Sequence, residues 1–164
     1  MPQDDAEAPE ALAARIFDAA RAGDTALLAE ALAQGLPVEI RNGRGDGLLM
    51  LAAYHGHAPA VRLLLERGAD PNRPNDHGQL PLAGAVFKEA TAVVEALLQG
   101  GAQPDAAGPD GRTALMLAAT FNRDGLVRLL LEAGADPARR DAGGRTAAGM
   151  ARAMGARNAL ALLG

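Results

Sequence analysis

Glycine recurs along this chain every thirty-three residues, at Gly45, Gly78, Gly111 and Gly144, and a second series runs Gly35, Gly68, Gly101, Gly134. The leucine pairs Leu64-Leu65, Leu97-Leu98 and Leu130-Leu131 keep the same interval, as do Ala52-Ala53, Ala85-Val86 and Ala118-Ala119. A period of this length constrains the fold more than any local propensity does. Each unit is one supersecondary piece too small to bury its own apolar face, so units must stack on one another.

Within a unit the pattern is helical. Residues 48–55, LLMLAAYH, carry leucines on one side and small alanines where a neighbouring helix must come close, which predicts a short inner helix. Residues 58–67, APAVRLLLER, place Val61, Leu64 and Leu65 on one face with Arg62 and Glu66 opposite, which predicts a second, amphipathic helix. Pro59 suits its first turn, Gly68 the left-handed position that closes it, and Pro71, Pro104 and Pro137 keep the helix from resuming. The polar stretch that follows, such as NRPNDHGQ, returns the chain as a turn.

These residues resemble the ankyrin repeat, best in the fourth unit with GRTALMLAA and LVRLLLEAGAD. The resemblance covers nearly the whole chain and implies an all-α solenoid of stacked helix-turn-helix units joined by hairpin-like turns. It implies a curved hand, with hairpins as fingers, inner helices as palm and outer helices as back. The expected layout is a flexible acidic tail at 1–9 and one repeat domain at 10–164. Within that domain we expect an N-terminal cap at about 10–40, repeats at about 41–73, 74–106 and 107–139, and a C-terminal cap at about 140–164. Asp18 stands where the next unit has Leu51, and Arg152 replaces the second alanine of Ala118-Ala119. Both read as the polar outer faces of end units, so the array is expected to be complete.

Two departures from the family pattern stand out. Thr113 and Thr146 remain at the hairpin-to-helix junction, but Met50, Ala83, Met116 and Gly149 occupy the usual histidine position, so the hairpins are expected to rely more on packing. Glu89 occupies the place of Gly56, where glycine would take positive φ cheaply, so that loop is expected to be rebuilt or strained. Asn72 is expected to serve its own turn.

Composition narrows the function. Cysteine is absent, which removes disulfides, thiolate catalysis and cysteine-based zinc sites. The net charge is −4, which disfavours a dedicated nucleic-acid binder, because such proteins need a basic stripe to displace counterions. The acidic N-terminus is unlike a secretion signal and no apolar run reaches membrane-span length, so a cytoplasmic protein with no membrane association is expected. Lys88 is the only lysine among many arginines, and alanine is abundant, a bias that points to a bacterial source. Residues 1–40 are acidic and residues 139–164 basic. Both ends read as solvated, and a monomer is expected.

No nucleophile with a base, carboxylate pair or glycine-rich phosphate loop after a strand is visible, so we expect no enzyme, no cofactor and no metal. His57 fits a structural role at the start of an outer helix. His55 and His57 at i, i+2 spacing lack a third ligand. The GRGDG at 43–47 is one hairpin turn.

Binding is the remaining class. The positions just after the small pair vary freely, as Tyr54-His55, Phe87-Lys88 and Thr120-Phe121, and hold three of the chain's four aromatic residues. Phe17 aligns instead with the core positions Met50 and Met116. In the family this place is the mouth of the palm, so the resemblance implies a partner protein, of unknown identity, on the concave face. Tyr54, His55, Phe87, Lys88 and Phe121 would anchor it, with the rings spread over about 20 Å at the usual spacing of packed helices. By register the hairpin tips add Arg44, Asp46, Asp76, His77, Gln79, Asp110 and Arg112 as a polar rim. The alternative is a nucleotide or RNA stacking its bases on Tyr54, Phe87 and Phe121. For each residue the plainer reading is structural: bulky cover for the next repeat, or a solvated turn.

Overall fold

In a computed structural model that describes residues 7–164, ten helices run α1 Pro9–Ala22, α2 Thr25–Ala33, α3 Leu48–Tyr54, α4 Ala58–Glu66, α5 Pro81–Phe87, α6 Thr91–Gln99, α7 Ala114–Thr120, α8 Asp124–Glu132, α9 Ala147–Met154 and α10 Arg157–Leu163. Most of the acidic tail expected at 1–9 lies outside the described residues, while Pro9 already opens α1 and Glu7 pairs with Arg15 at 2.6 Å. Odd-numbered helices stack into an inner row, each on the next, and even-numbered helices form an outer row. The outer row is loosest between α6 and α8. Strand structure among the described residues is confined to the isolated bridges Arg41–Gly47 and Ala107–Thr113 at hairpin bases.

Inner helices approach closely because their contact positions are small. Ala52, Ala53, Ala85, Val86, Ala118 and Ala119 are all fully buried. Behind them Leu64, Leu97 and Leu130, with Leu28, Val61, Val94 and Val127, fill the layer between the rows and are also fully buried. Each such aliphatic side chain contributes about 1.5–3 kcal/mol by leaving water.

The two glycine series have different causes. Gly35, Gly68, Gly101 and Gly134 lie at φ between 91° and 99° with open space around them, so only the left-handed backbone that ends each outer helix requires them. The hairpin glycines Gly45, Gly78 and Gly111 combine positive φ with close approach, while Gly144 has positive φ and open space. A Cβ on Gly78 (φ 73°) would lie 2.5 Å from the Pro109 ring of the next hairpin.

Beside this packing, the hairpins are held by side-chain-to-backbone hydrogen bonds. The Asn42 side-chain oxygen accepts from the amides of Arg44 (2.9 Å) and Asp46 (3.0 Å), that of Asn75 from His77 (3.0 Å) and Gln79 (2.9 Å), and that of Asp141 from Gly143 (3.0 Å) and Arg145 (2.8 Å). Gly108 has no such group, and there Asp110 supports its own turn through the Arg112 amide (3.0 Å). Thr113 and Thr146 cap α7 and α9 by accepting from Met116 (3.3 Å) and Gly149 (3.1 Å).

A second polar ladder crosses between units. Glu39, Asn72 and Asp105 each accept from a main-chain amide of the following unit, at Asp70 (2.6 Å), Gln103 (2.8 Å) and Asp136 (2.9 Å). Asn72 thus staples neighbours, also donating to the Gly101 carbonyl at 3.1 Å, instead of serving only its own turn.

Glu89 keeps the positive φ of the glycine it replaces, at 55°, so the loop is strained and not rebuilt. Its carboxylate pairs with Arg123 at 2.5 Å. Both Glu89→Gly and Glu89→Ala lose that pair, but only alanine retains the left-handed penalty. Urea titration should therefore find Glu89→Gly more stable than Glu89→Ala by about 1 kcal/mol.

Asp141 is buried, and its second oxygen takes the Arg145 guanidinium through Nε (3.0 Å) and Nη2 (2.8 Å). The Arg145 amide first, and then its guanidinium, hold the Asp141 carboxyl below its ordinary value. The charged form therefore stabilises the fold above the unfolded-state pKa of about 3.9, and that contribution is lost as pH falls toward the folded-state value. Wild type should melt above Asp141→Asn at neutral pH, and the gap between their melting temperatures should close below about pH 4.

Candidate functional site

Tyr54 and Phe87 are the last residues of α3 and α5, and Phe121 follows the last residue of α7. At a helix end on the open side of the stack, a side chain has no unit above it. Tyr54, Phe87 and Phe121 remain 40%, 50% and 44% exposed. Met154, one period beyond Phe121 at the end of α9, is 62% exposed and extends the row by a unit. Register had the information to find it, since 154 follows 121 by thirty-three, but attention to aromatic residues passed it over.

The rings do not form an evenly spaced row. Phe87 and Phe121 meet edge to face, with centroids 5.8 Å apart and planes at 76°. Phe121 sits one position later in its unit than Phe87 does, and this displacement brings the pair into contact. Tyr54 stands apart, edge-on to His55 at 5.4 Å, with the Lys88 ammonium 4.6 Å from its ring centre.

Two concave troughs adjoin along Tyr54 and Met50. The first is lined by Arg21, Asn42, Arg44, Asp46, Tyr54, His55 and Gln79 among others. The second, of about 1250 Å³ and open to solvent, has Met50, Tyr54, Leu80, Ala83, Gly84, Phe87 and Leu117 as apolar walls, with His77, Gln79, Asp110 and Arg112 on its rim. Asp46 is tied into the hairpins, accepting from Asn75 at 2.8 Å and Asn42 at 3.4 Å. Asp110 is paired with Arg112 at 3.4 Å. Asp76 lies apart from both troughs; its carboxylate packs against Gly45 and faces Arg41 at 3.8 Å, so it joins hairpin to hairpin.

The first trough has a cationic character. Partial burial, then the charges of His57, Lys88 and Arg21, hold the His55 imidazole below its ordinary value. Arg21 is shared with Asp18 at 2.7 Å, whereas Arg44 and Lys88 form no ion pair among the described residues. His57 is structural: its Nε2–H donates to the Arg21 carbonyl at 2.7 Å, and its ring packs where a side chain on Gly23 would be. Among the described residues no three potential metal-ligating side chains gather.

Depth in the second trough comes from Gly84. In register it stands for Leu51 and Leu117, and Ala83 stands for Met50 and Met116. Met50, Leu51 and Met116 are buried, while the backbone at Ala83 and Gly84 remains partly accessible. A Cβ built on Gly84 would lie 3.5 Å from the Tyr54 ring, ordinary contact distance.

The family model for ankyrin repeats (3 copies) matches residues 16–108 and again 85–163. An ankyrin repeat protein of Pseudomonas aeruginosa is 57% identical over 49 residues, 30% of this chain and 29% of that protein. An ankyrin repeat-containing protein of Treponema pallidum is 39% identical over 72 residues, 43% of this chain and 24% of that protein. The human ankyrin repeat domain-containing protein 29 is 48% identical over 62 residues, 37% and 21% of the two chains. The matched stretches span less than a third of each relative's own length.

Glycine in the middle of α5 costs about 0.5–1 kcal/mol relative to alanine, and no positive φ or close contact requires it. Gly84→Ala should raise the urea midpoint by a corresponding amount. An unchanged or lowered midpoint would show that Gly84 is needed for packing.

Proposed function

The chain belongs to the ankyrin-repeat family, and on that premise we propose that it binds a partner protein through the concave face formed by α3, α5, α7 and the hairpin tips, as an adaptor, regulator or inhibitor. Ankyrin repeats are generally protein–protein interaction modules. The observation that carries the reading for this chain is the clustering of its exposed large apolar residues. Tyr54, Phe87, Phe121 and Met154 all fall at the mouth of the inner row, and Leu12 on α1 is the remaining one among the described residues. A patch of this kind, rimmed by polar turn residues, has the anatomy of a docking surface. Part of Arg44, Gln79, His77, Asp110 and Arg112 would contribute orientation and specificity more than bulk affinity.

The proposal includes a monomeric, non-catalytic protein of a bacterial cytoplasm. The absence of cysteine and the arginine-rich, lysine-poor composition support the setting. No described helix is long and apolar enough to cross a membrane. Base stacking by a nucleotide or RNA gains no support from the ring geometry. Lys88 covers one face of Tyr54, and Phe87 and Phe121 turn edge to face on each other, so no series of parallel open ring faces exists.

The test compares wild type with a variant carrying Tyr54→Ala, Phe87→Ala and Phe121→Ala in capture of proteins from the source cell's extract. Each truncation should cost on the order of 2 kcal/mol of binding if the ring is an anchor, so the folded triple variant should lose its partner entirely. Equal capture by both would place the binding surface on the hairpin tips or the outer helices.

A further inference from the structure

We propose that the pocket over Ala83 and Gly84 takes one bulky apolar side chain from an acidic peptide segment of the partner, whose carboxylates lie across Tyr54 toward Arg44 and Lys88. This rests on the concave-face reading and specifies the ligand for it.

The third unit is the one place in the stack where the inner helix loses both bulky side chains of the groove floor. Replacing Met and Leu by Ala and Gly removes as many heavy atoms as a phenylalanine side chain contains. The neighbours do not close the gap. Met50, Tyr54, Phe87 and Leu117 line it, with the Tyr54 ring 3.5 Å from where a Cβ on Gly84 would lie, and Ala83 and Gly84 remain partly accessible. A mainly apolar recess gains most from an aromatic or branched aliphatic occupant.

Charge decides what flanks that side chain. Tyr54 and Met50 are shared between the apolar pocket and the cationic trough. Of the carboxylates nearby, Asp110 is ion-paired with Arg112 and Asp18 with Arg21, while Asp46 keeps its charge and is held in place by the neutral amides of Asn42 and Asn75. Among the described residues Arg44, which lines the first trough, and Lys88, whose ammonium lies 4.6 Å from the centre of the Tyr54 ring that both troughs share, form no ion pair. Their nearest unmet requirement is negative charge within a few residues of the apolar anchor.

The test uses random peptides displayed on phage and selected on the wild-type protein, followed by fluorescence anisotropy with the recovered peptides. Recovered sequences should share one Phe, Leu or Met within a few residues of Asp or Glu. Filling the pocket with Ala83→Met and Gly84→Leu, residues that the adjacent units already carry, should weaken these peptides about tenfold or more. Gly84→Ala is the milder second variant, with a smaller loss in the same direction. Arg44→Glu with Lys88→Glu should weaken them about tenfold at low salt, and less at high salt. Recovery of basic peptides or of none, or full binding to the filled variant, overturns the proposal. If such peptides still lose binding on Tyr54→Ala and Phe121→Ala, the concave-face reading survives; if they do not, both fall. Self-association of wild type that the filled variant abolishes would assign the pocket to a second copy and also overturns it.

Discussion

Close approach of neighbouring inner helices is the contact on which everything else in this molecule depends. It is possible because the positions that meet are alanine or valine, and it leaves no unit with a core of its own. Leu64 is as buried as any core leucine, yet its shelter comes partly from the units on either side. Stability is therefore distributed along the stack, and the residues free to vary are those at its open side.

Polar groups set the register that apolar packing alone leaves loose. Asn42, Asn75 and Asp141 satisfy the amides of their own hairpins, and Glu39, Asn72 and Asp105 reach into the following unit. The histidine missing from the start of the inner helices is replaced in effect by this side-chain-to-backbone bonding, which buries few unpaired groups. Among the described residues Arg123 Nε is the orphan among buried side-chain atoms, beside the strained Glu89.

Local costs concentrate in the third unit. It carries a mid-helix glycine, a glutamate in left-handed backbone and an inner helix without its threonine cap, with Leu80 at that position. Asn122 repeats the left-handed backbone of Glu89 in the fourth unit and α3 also starts without a side-chain cap, so Ala83 and Gly84 are where the third unit departs from both neighbours, and the groove opens there. The Ala83-Gly84 recess and the Phe87–Phe121 pair belong to the same few residues of chain.

The sequence by itself determined the period, the helix pairs, the stacking and the positions left free, because a thirty-three-residue repeat of small and aliphatic residues has one economical way to bury them. Register, taken with the resemblance to the ankyrin repeat, also placed Tyr54, Phe87 and Phe121 at a mouth. Only the tertiary structure decided what those residues make of one another. Phe121 leans onto Phe87, Lys88 covers Tyr54, Asp46 and Asp76 are spent on hairpins, and Met154 continues the row. Gly84 was visible as a letter but not as a recess, because a missing side chain becomes a cavity only when its neighbours fail to fill the space. That outcome depends on the three-dimensional packing of Met50, Tyr54 and Leu117 from two other units.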